Sequence, residues 1–118
     1  MKLFKSVVLI LFSYSLSANN LLEIDLYELY KDLHRNPELS YKEFETSKKL
    51  SLILNELGYE ITNEVGGNGV VALLKNGKGK TVMLRADMDG LPVQEKTGAS
   101  YASKTKTTYE DGQEVFTM

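Results

Sequence analysis

The spacing of the apolar residues changes at Gly58, and this change constrains the fold more than any other feature of the sequence. Before Gly58 the apolar residues recur at helical spacing, which predicts amphipathic helices. After it, Tyr59, Ile61 and Val65 alternate with polar residues, a pattern typical of a half-buried strand. The sequence therefore predicts helices followed by strands, in the α/β class.

The first predicted helix begins near Leu22, with Asn19 or Asn20 as a cap, and ends near His34–Pro37. It ends there because the residue before a proline avoids the helical region. Its apolar face consists of four leucines at helical spacing: Leu22, Leu26, Leu29 and Leu33.

The second predicted helix begins at Ser40–Glu43, which fits a capping box, with Ser at the cap and Glu three residues later. Gly58 stands where a left-handed C-terminal cap is expected. The apolar face between them consists of Phe44, Leu50, Ile53, Leu54 and Leu57.

The strands are separated by glycine-rich turns. Gly66–Gly69 is a flexible turn, Val70–Leu74 an apolar run of strand length, and Asn76–Gly79 a hairpin-type loop before the strand Thr81–Leu84. After Pro92 the chain is polar and irregular.

Two shorter predictions concern this polar part. The run Ser103–Thr108 is predicted to be an exposed loop, and Val115 and Phe116 indicate one more short element.

The composition limits the kinds of site the chain can hold. Its 118 residues suit about one domain, and 14 basic against 16 acidic residues give no electrostatic argument for nucleic acid. With no cysteine and one histidine, the chain has no disulfide, no thiol nucleophile and no self-contained His/Cys metal site.

Residues 1–18 have the pattern of a secretory signal peptide. A short basic start is followed by the apolar run Ser6–Phe12 and then by small residues, with cleavage predicted near Ser17 or Ala18. The apolar run is shorter than the ~20 residues of a membrane span, although an uncleaved anchor or a buried helix is the alternative. We therefore expect residues 19–118 to be exported and to have no stable membrane anchor after cleavage.

Gly67–Ala72 matches a loose dinucleotide-binding fingerprint. Such a site needs a helix to begin at the glycines, and the six residues Val70–Lys75 before the next turn are too few for one. The glycines are therefore interpreted as a turn.

Leu84–Pro92 is a stronger candidate site, because ligands bind beyond the carboxyl ends of strands in α/β sheets. Asp87 and Asp89 could orient a metal-binding imidazole, bridge a metal or hold a water. The alternative, which local sequence favours, is that both carboxylates stabilise the turn and that Arg85 pairs with one of them.

His34, the single histidine, lies at the predicted end of the first helix. An imidazole there is most often a capping group near the negative end of the helix dipole. We interpret His34 as a cap and not as a metal ligand.

Together, these segments resemble the amidohydrolase branch of the M20 metallopeptidases, which includes N-acyl-amino-acid, hippurate and auxin-conjugate hydrolases. The resemblance covers about residues 26–103. Its most specific parts are His34–Ser40 (HRNPELS) and Leu84–Pro92 (LRADMDGLP), in which Gly90 stands where the family usually has Ala. The remaining matches are Glu43, Thr46, Leu57–Tyr59, Gly69–Ala72 and Glu95.

The resemblance implies the N-terminal part, two helices and then a β-hairpin with further strands, of an M20-type zinc-hydrolase α/β/α catalytic domain. It implies two divalent metals, Zn or Mn, a small N-acyl-amino-acid substrate, and a homodimer as one option for the full-length enzyme. Metal-bound water would attack the amide carbonyl with a glutamate as general base. Only Asp87 matches a catalytic position, that of an aspartate that orients or polarises the metal centre. Arg85 and Asp89 are expected to support the turn.

The family's first metal-ligand motif would follow Met118, so the sequence resembles an incomplete, N-terminal portion of such an enzyme. We expect this portion to bind no metal, to be inactive alone, and to aggregate or fold only in part. The alternative is a small exported binding module that keeps the scaffold without the chemistry.

Overall fold

A computed structural model describes residues 25–109 and 111–118. The predicted signal peptide lies outside the described residues. In sequence order, the described part contains helices α1 (Leu26–Arg35) and α2 (Phe44–Glu56) and strands β1 (Glu60–Val65), β2 (Gly69–Leu73), β3 (Lys106–Thr108) and β4 (Glu114–Phe116). No helix in this part is long and apolar enough to cross a membrane.

Helix α1 begins later than the leucine spacing predicts. Its cap is Asp25, whose carboxylate accepts hydrogen bonds from the amides of Tyr27 and Glu28, both at 3.0 Å. The predicted start at Leu22 with an asparagine cap is therefore wrong, because Asp25 satisfies the free amides of the first turn. The helix ends at Arg35, within the predicted range.

Helix α2 is capped from outside the predicted capping box. Tyr41 adopts a left-handed φ of 64°, and a turn from Leu39 to Lys42 delays the helix until Phe44. The free amides of Glu45 and Thr46 instead donate to the carboxylate of Glu38, at 3.2 and 2.7 Å. The predicted Ser40–Glu43 box is therefore wrong.

Gly58 ends helix α2 as the sequence predicts. It has a left-handed φ of 86°, and its amide donates to the carbonyl of Asn55 at 2.9 Å. The carbonyls of the last turn are satisfied without extending the helix.

Strands β1 and β2 pair antiparallel across the predicted turn, here at residues 66–68. The predicted hairpin-type loop at Asn76–Gly79 is wrong, because Thr81–Leu84 forms no strand for it to connect. Helix α2 packs against both strands. No helix starts at the glycines, so the structure agrees with the turn interpretation and not with a dinucleotide site.

The third predicted strand is wrong. Thr81–Leu84 is in neither a strand nor a helix. The side chains of Val82, Met83 and Leu84 are 85%, 84% and 95% exposed. A continuous apolar run forms a strand when neighbours cover both faces, and none of the described residues does so here.

The polar C-terminal part is more ordered than predicted. Lys106–Thr108, placed in an exposed loop from the sequence, is strand β3 and pairs antiparallel with β4. Ser103 is buried, which also contradicts the loop prediction. The predicted element at Val115 and Phe116 is β4.

The buried residues of the described part are few, and most are polar or belong to loops. They are Pro37, Leu39, Thr46, Ser103 and Thr117. This part of the chain is therefore held together more by hydrogen bonds between segments than by a large apolar core.

Candidate functional site

Asp87, the predicted catalytic residue, lies in an exposed part of the chain between residues 74 and 89. Its carboxylate accepts a 2.6 Å hydrogen bond from the guanidinium of Arg85. The two side chains are 70% and 79% exposed. An ion pair this exposed contributes little to stability, so the contact orients Asp87 more than it fixes the backbone.

The described residues do not by themselves fit a metal centre. Within them, no group of three or more His, Asp or Glu side chains is placed to hold an ion. A hydrolytic metal site needs about three protein ligands for each ion. The two metals implied by the resemblance would therefore need ligands other than these residues.

Gly90, three residues after Asp87, lies where three segments of the chain meet. Its amide donates to the carbonyl of Glu38 at 2.7 Å, and it forms a parallel bridge with Leu39. The next residue, Leu91, exchanges two backbone hydrogen bonds with Met118, at 2.7 and 2.9 Å. The segment that follows the Asp87 turn is therefore fixed on two sides.

The absence of a side chain at Gly90 lets Pro37, Thr117 and Met118 approach its backbone closely. A Cβ placed there would lie 2.7 Å from the Cβ of Pro37 and 3.1 Å from both the carbonyl oxygen of Met118 and the Cγ2 of Thr117. An added side chain would therefore force Pro37 or its neighbours to shift, so glycine suits this position for reasons of space and not for an unusual backbone angle.

Glu95 anchors the same segment further along. Its side chain is fully buried, and its Oε2 lies 3.0 Å from Nε2 of His34. The same carboxylate accepts hydrogen bonds from the amide of Ser103 and the hydroxyl of Thr97. His34 is thus a hydrogen-bond partner of Glu95, while Asn36 is the C-terminal cap of α1, so the cap interpretation of His34 is wrong.

Two tyrosine rings enclose the imidazole of His34. The ring of Tyr101 lies edge-on at 5.4 Å between centroids, and the ring of Tyr30 lies tilted at 5.7 Å. The two tyrosine rings are themselves edge-to-face at 5.7 Å. Such contacts limit the orientations of the imidazole and shield its bond to Glu95 from water.

Local hydrogen bonds hold the pKa of Glu95 below its usual value. The hydroxyl of Thr97 has the largest effect, and the contacts with His34 and Ser103 lower the pKa further, against the opposing effect of burial. Glu95 is therefore ionised in the folded protein under neutral conditions.

Ser103 continues this network into the C-terminal segment. Its hydroxyl donates to the carbonyl of Thr117 at 2.7 Å, and both residues are buried. The amide of Thr117 donates to the carbonyl of Thr105 at 3.0 Å. The contacts of Glu95 thus reach residues that also touch Gly90.

Glu95 belongs to the family match, but the sequence predicts no role for it, nor for Ser103 or Thr117. No local pattern indicates that these residues are buried, since all three lie in a polar stretch without periodicity. The one signal in the sequence is the place of Glu95 in the family match.

A groove of about 470 Å³ lies between α2 and β1, apart from these residues. Phe44 and Leu52 of the helix and Ile61 of the strand provide its apolar lining. Neither Asp87 nor Glu95 lines it, so this groove does not belong to the candidate site.

Comparison with curated proteins gives relatives at 43–45% identity. Thermostable carboxypeptidase 2 of Saccharolobus solfataricus is 45% identical over 92 residues, covering 75% of this chain and 23% of the relative. Hippurate hydrolase of Campylobacter jejuni is 44% identical over 84 residues, covering 70% and 22%. N-acetyl-L-cysteine deacetylase of Bacillus subtilis is 43% identical over 86 residues, covering 72% and 21%.

Comparison with solved structures gives a match at a TM-score of 0.61 and 40% identity. The matched protein is YXEP of Bacillus subtilis, described as a dinuclear metal binding peptidase from the M20 family. The match covers 68% of this chain and 23% of that one. No protein-family model matches the chain. The chain therefore spans less than a quarter of the length of these relatives.

Proposed function

Since the chain belongs to the amidohydrolase branch of the M20 metallopeptidase family, we propose that it is part of a metal-dependent enzyme that releases amino acids from N-acyl-amino acids. The observation that carries this proposal is the 43–45% identity to relatives named as a carboxypeptidase, a hippurate hydrolase and a deacetylase. All three names describe cleavage of an amide or peptide bond next to an amino acid.

The contribution of this chain to the reaction is the turn that carries Asp87. Asp87 is exposed and oriented by Arg85, while Gly90 and Glu95 fix the segment that follows. An exposed carboxylate on a fixed segment is suited to orient groups that other parts of the enzyme supply. When bound, the divalent metals of such an enzyme lower the pKa of water and polarise the amide carbonyl.

The experiment uses the longest polypeptide encoded by the reading frame that contains these 118 residues. We expect it to release free amino acid from N-acetyl- and N-benzoyl-amino acids, and a chelator to abolish this activity. The Asp87→Asn variant should lower kcat about ten- to a hundredfold, while Asp89→Asn, the matched control in the same turn, should retain most of the activity. Absence of hydrolysis with both Zn²⁺ and Mn²⁺ would overturn the proposal.

Two further parts of the proposal concern this chain itself. Residues 1–18 act as a signal for export, supported by the order of basic, apolar and small residues. The 118 residues alone are inactive, supported by the incomplete ligand set among the described residues. The mass of the exported product, with cleavage near Ser17 or Ala18, tests the first, and an amidase assay of residues 19–118 with added metal tests the second.

A further inference from the structure

Residues 34–39 contact residues 90–95 at two separate points. We call these two contacts the clamp. One point is the crossing at Gly90, whose amide donates to the carbonyl of Glu38. The other is the 3.0 Å contact between Nε2 of His34 and the carboxylate of Glu95. Because the two contacts lie at opposite ends of residues 90–95, together they fix both the position and the orientation of this segment.

The crossing at Gly90 depends on steric fit. Pro37, Leu39 and Thr117 are buried around it. A Cβ on Gly90 would come within 2.7 Å of the Cβ of Pro37. Neither the hydrogen bond nor the packing at this end involves a group that changes charge.

The other end depends on charge. The Glu95 carboxylate accepts from His34, Ser103 and Thr97, and its side chain has no exposed surface. The titratable group that contacts it is the imidazole of His34. The rings of Tyr30 and Tyr101 pack on that imidazole, and the charges of Glu95 and Lys31 both act on Tyr101. A proton on Glu95 would remove the negative charge to which His34, Ser103 and Thr97 are bonded, and hydrogen bonds to a neutral carboxyl are weaker than hydrogen bonds to a carboxylate.

The Asp87 turn has no comparable attachment of its own. The contact between Arg85 and Asp87 is local and exposed, and residues 74–89 make no backbone hydrogen bond to another described segment. The position of Asp87 relative to the rest of the described chain is therefore set through Gly90 and the segment that follows it.

We propose that the clamp positions Asp87 and is sensitive to acid. Both of its contacts are formed while Glu95 is ionised, and they weaken when Glu95 takes a proton. His34 and Glu95 act as positioning residues and Gly90 as the fixed pivot. The role of Asp87 in this proposal rests on the function proposed above, whereas the closing and loosening of the clamp does not.

The experiment measures hydrogen exchange at the Gly90 amide of the 118-residue chain, relative to the Leu57 amide. Leu57 donates to the carbonyl of Ile53 in α2, away from the clamp. At neutral pH, His34→Leu should speed the relative exchange of Gly90 about tenfold, the effect of losing roughly one charged hydrogen bond. The matched control is Lys75→Gln, which removes the exposed ion pair with Glu60 and should leave Gly90 unchanged.

A second measurement needs no variant, so it holds even where His34→Leu fails to fold. In the unaltered chain, the exchange of Gly90 relative to Leu57 should rise as the pH falls below the usual glutamate range, about 4.3. Glu95→Gln should remove this pH dependence, because the glutamine amide does not titrate. A ratio that stays constant on acidification, or a Gly90 amide that is unprotected at every pH, overturns the proposal.

The clamp and the proposed function can be refuted independently of each other. Exchange at Gly90 is read without substrate or metal, so loss of amidase activity in the longer polypeptide would not change it. A clamp that responds to pH in a polypeptide without hydrolysis would overturn only the proposed function.

Discussion

The amide of Gly90 donates a 2.7 Å hydrogen bond to the carbonyl of Glu38, which joins the loop after α1 to the segment that follows Asp87. This contact connects the two most specific motifs of the sequence, HRNPELS and LRADMDGLP. The carboxylate of the same Glu38 caps α2, so this residue links three parts of the described chain.

Gly90→Ala should destabilise the chain, because the new methyl group would meet the Cβ of Pro37. Overpacking of this kind costs about 1–3 kcal/mol. The free energy of unfolding from urea denaturation measures the effect. Pro37→Gly removes the opposing Cβ, so the double variant should lose less than the sum of the single variants. Strict additivity would show that the close approach does not cause the loss.

Glu38→Ala should also destabilise the chain, because it leaves the amides of Glu45 and Thr46 without their acceptor. Loss of a helix cap costs about 0.5–2 kcal/mol. Ser40→Ala is the matched control, since Ser40 lies in the predicted capping box but precedes the observed helix. If thermal denaturation showed the larger loss for Ser40→Ala, Ser40 would be the cap and Glu38 would not.

Stability should fall on acidification because of Glu95. Its pKa is lower in the folded chain than in the unfolded one. Its contribution is therefore fully present above the unfolded pKa and is lost as the pH falls through the folded pKa. Urea denaturation between pH 7 and pH 3 measures this decrease, and Glu95→Gln should make the profile flatter. An equally steep profile in that variant would assign the acid sensitivity to other carboxylates.

Met83→Lys should reduce aggregation of the chain. Val82, Met83 and Leu84 form an exposed apolar run without a strand partner among the described residues, which favours edge-to-edge association. Light scattering during concentration measures the effect. Thr108→Lys, a change at an exposed position of the paired strand β3, is the control for added charge. If the unaltered chain and Met83→Lys aggregated equally, this apolar run would not be the main site of self-association.

The presence of both helices, the glycine turn between β1 and β2, and the end of α2 at Gly58 could be predicted from sequence because local periodicity and turn chemistry determine them. The start of α2 could not, since its cap comes from Glu38 and depends on the left-handed backbone of Tyr41. Strand Thr81–Leu84 was predicted from its apolar residues, yet strand formation requires neighbours that no local pattern supplies.

In the candidate site, too, local contacts could be predicted from the sequence and long-range contacts could not. Asp87 and its pairing with Arg85 follow from two residues close in sequence. The partnership of His34 and Glu95 spans 61 positions and follows from the tertiary fold alone. His34 was interpreted as a cap because its helix position is visible in the sequence and its partner is not.

The paired hydrogen bonds between Leu91 and Met118 have a consequence for the order in which the chain takes shape. During synthesis the helices and the hairpin emerge from the ribosome well before Met118 does. The junction at Gly90 can be completed only after residue 118 has emerged. Until then, the segment after Asp87 lacks its hydrogen bonds to Met118. A nascent chain that is halted before residue 118 therefore holds its candidate catalytic aspartate with fewer contacts than the finished chain does.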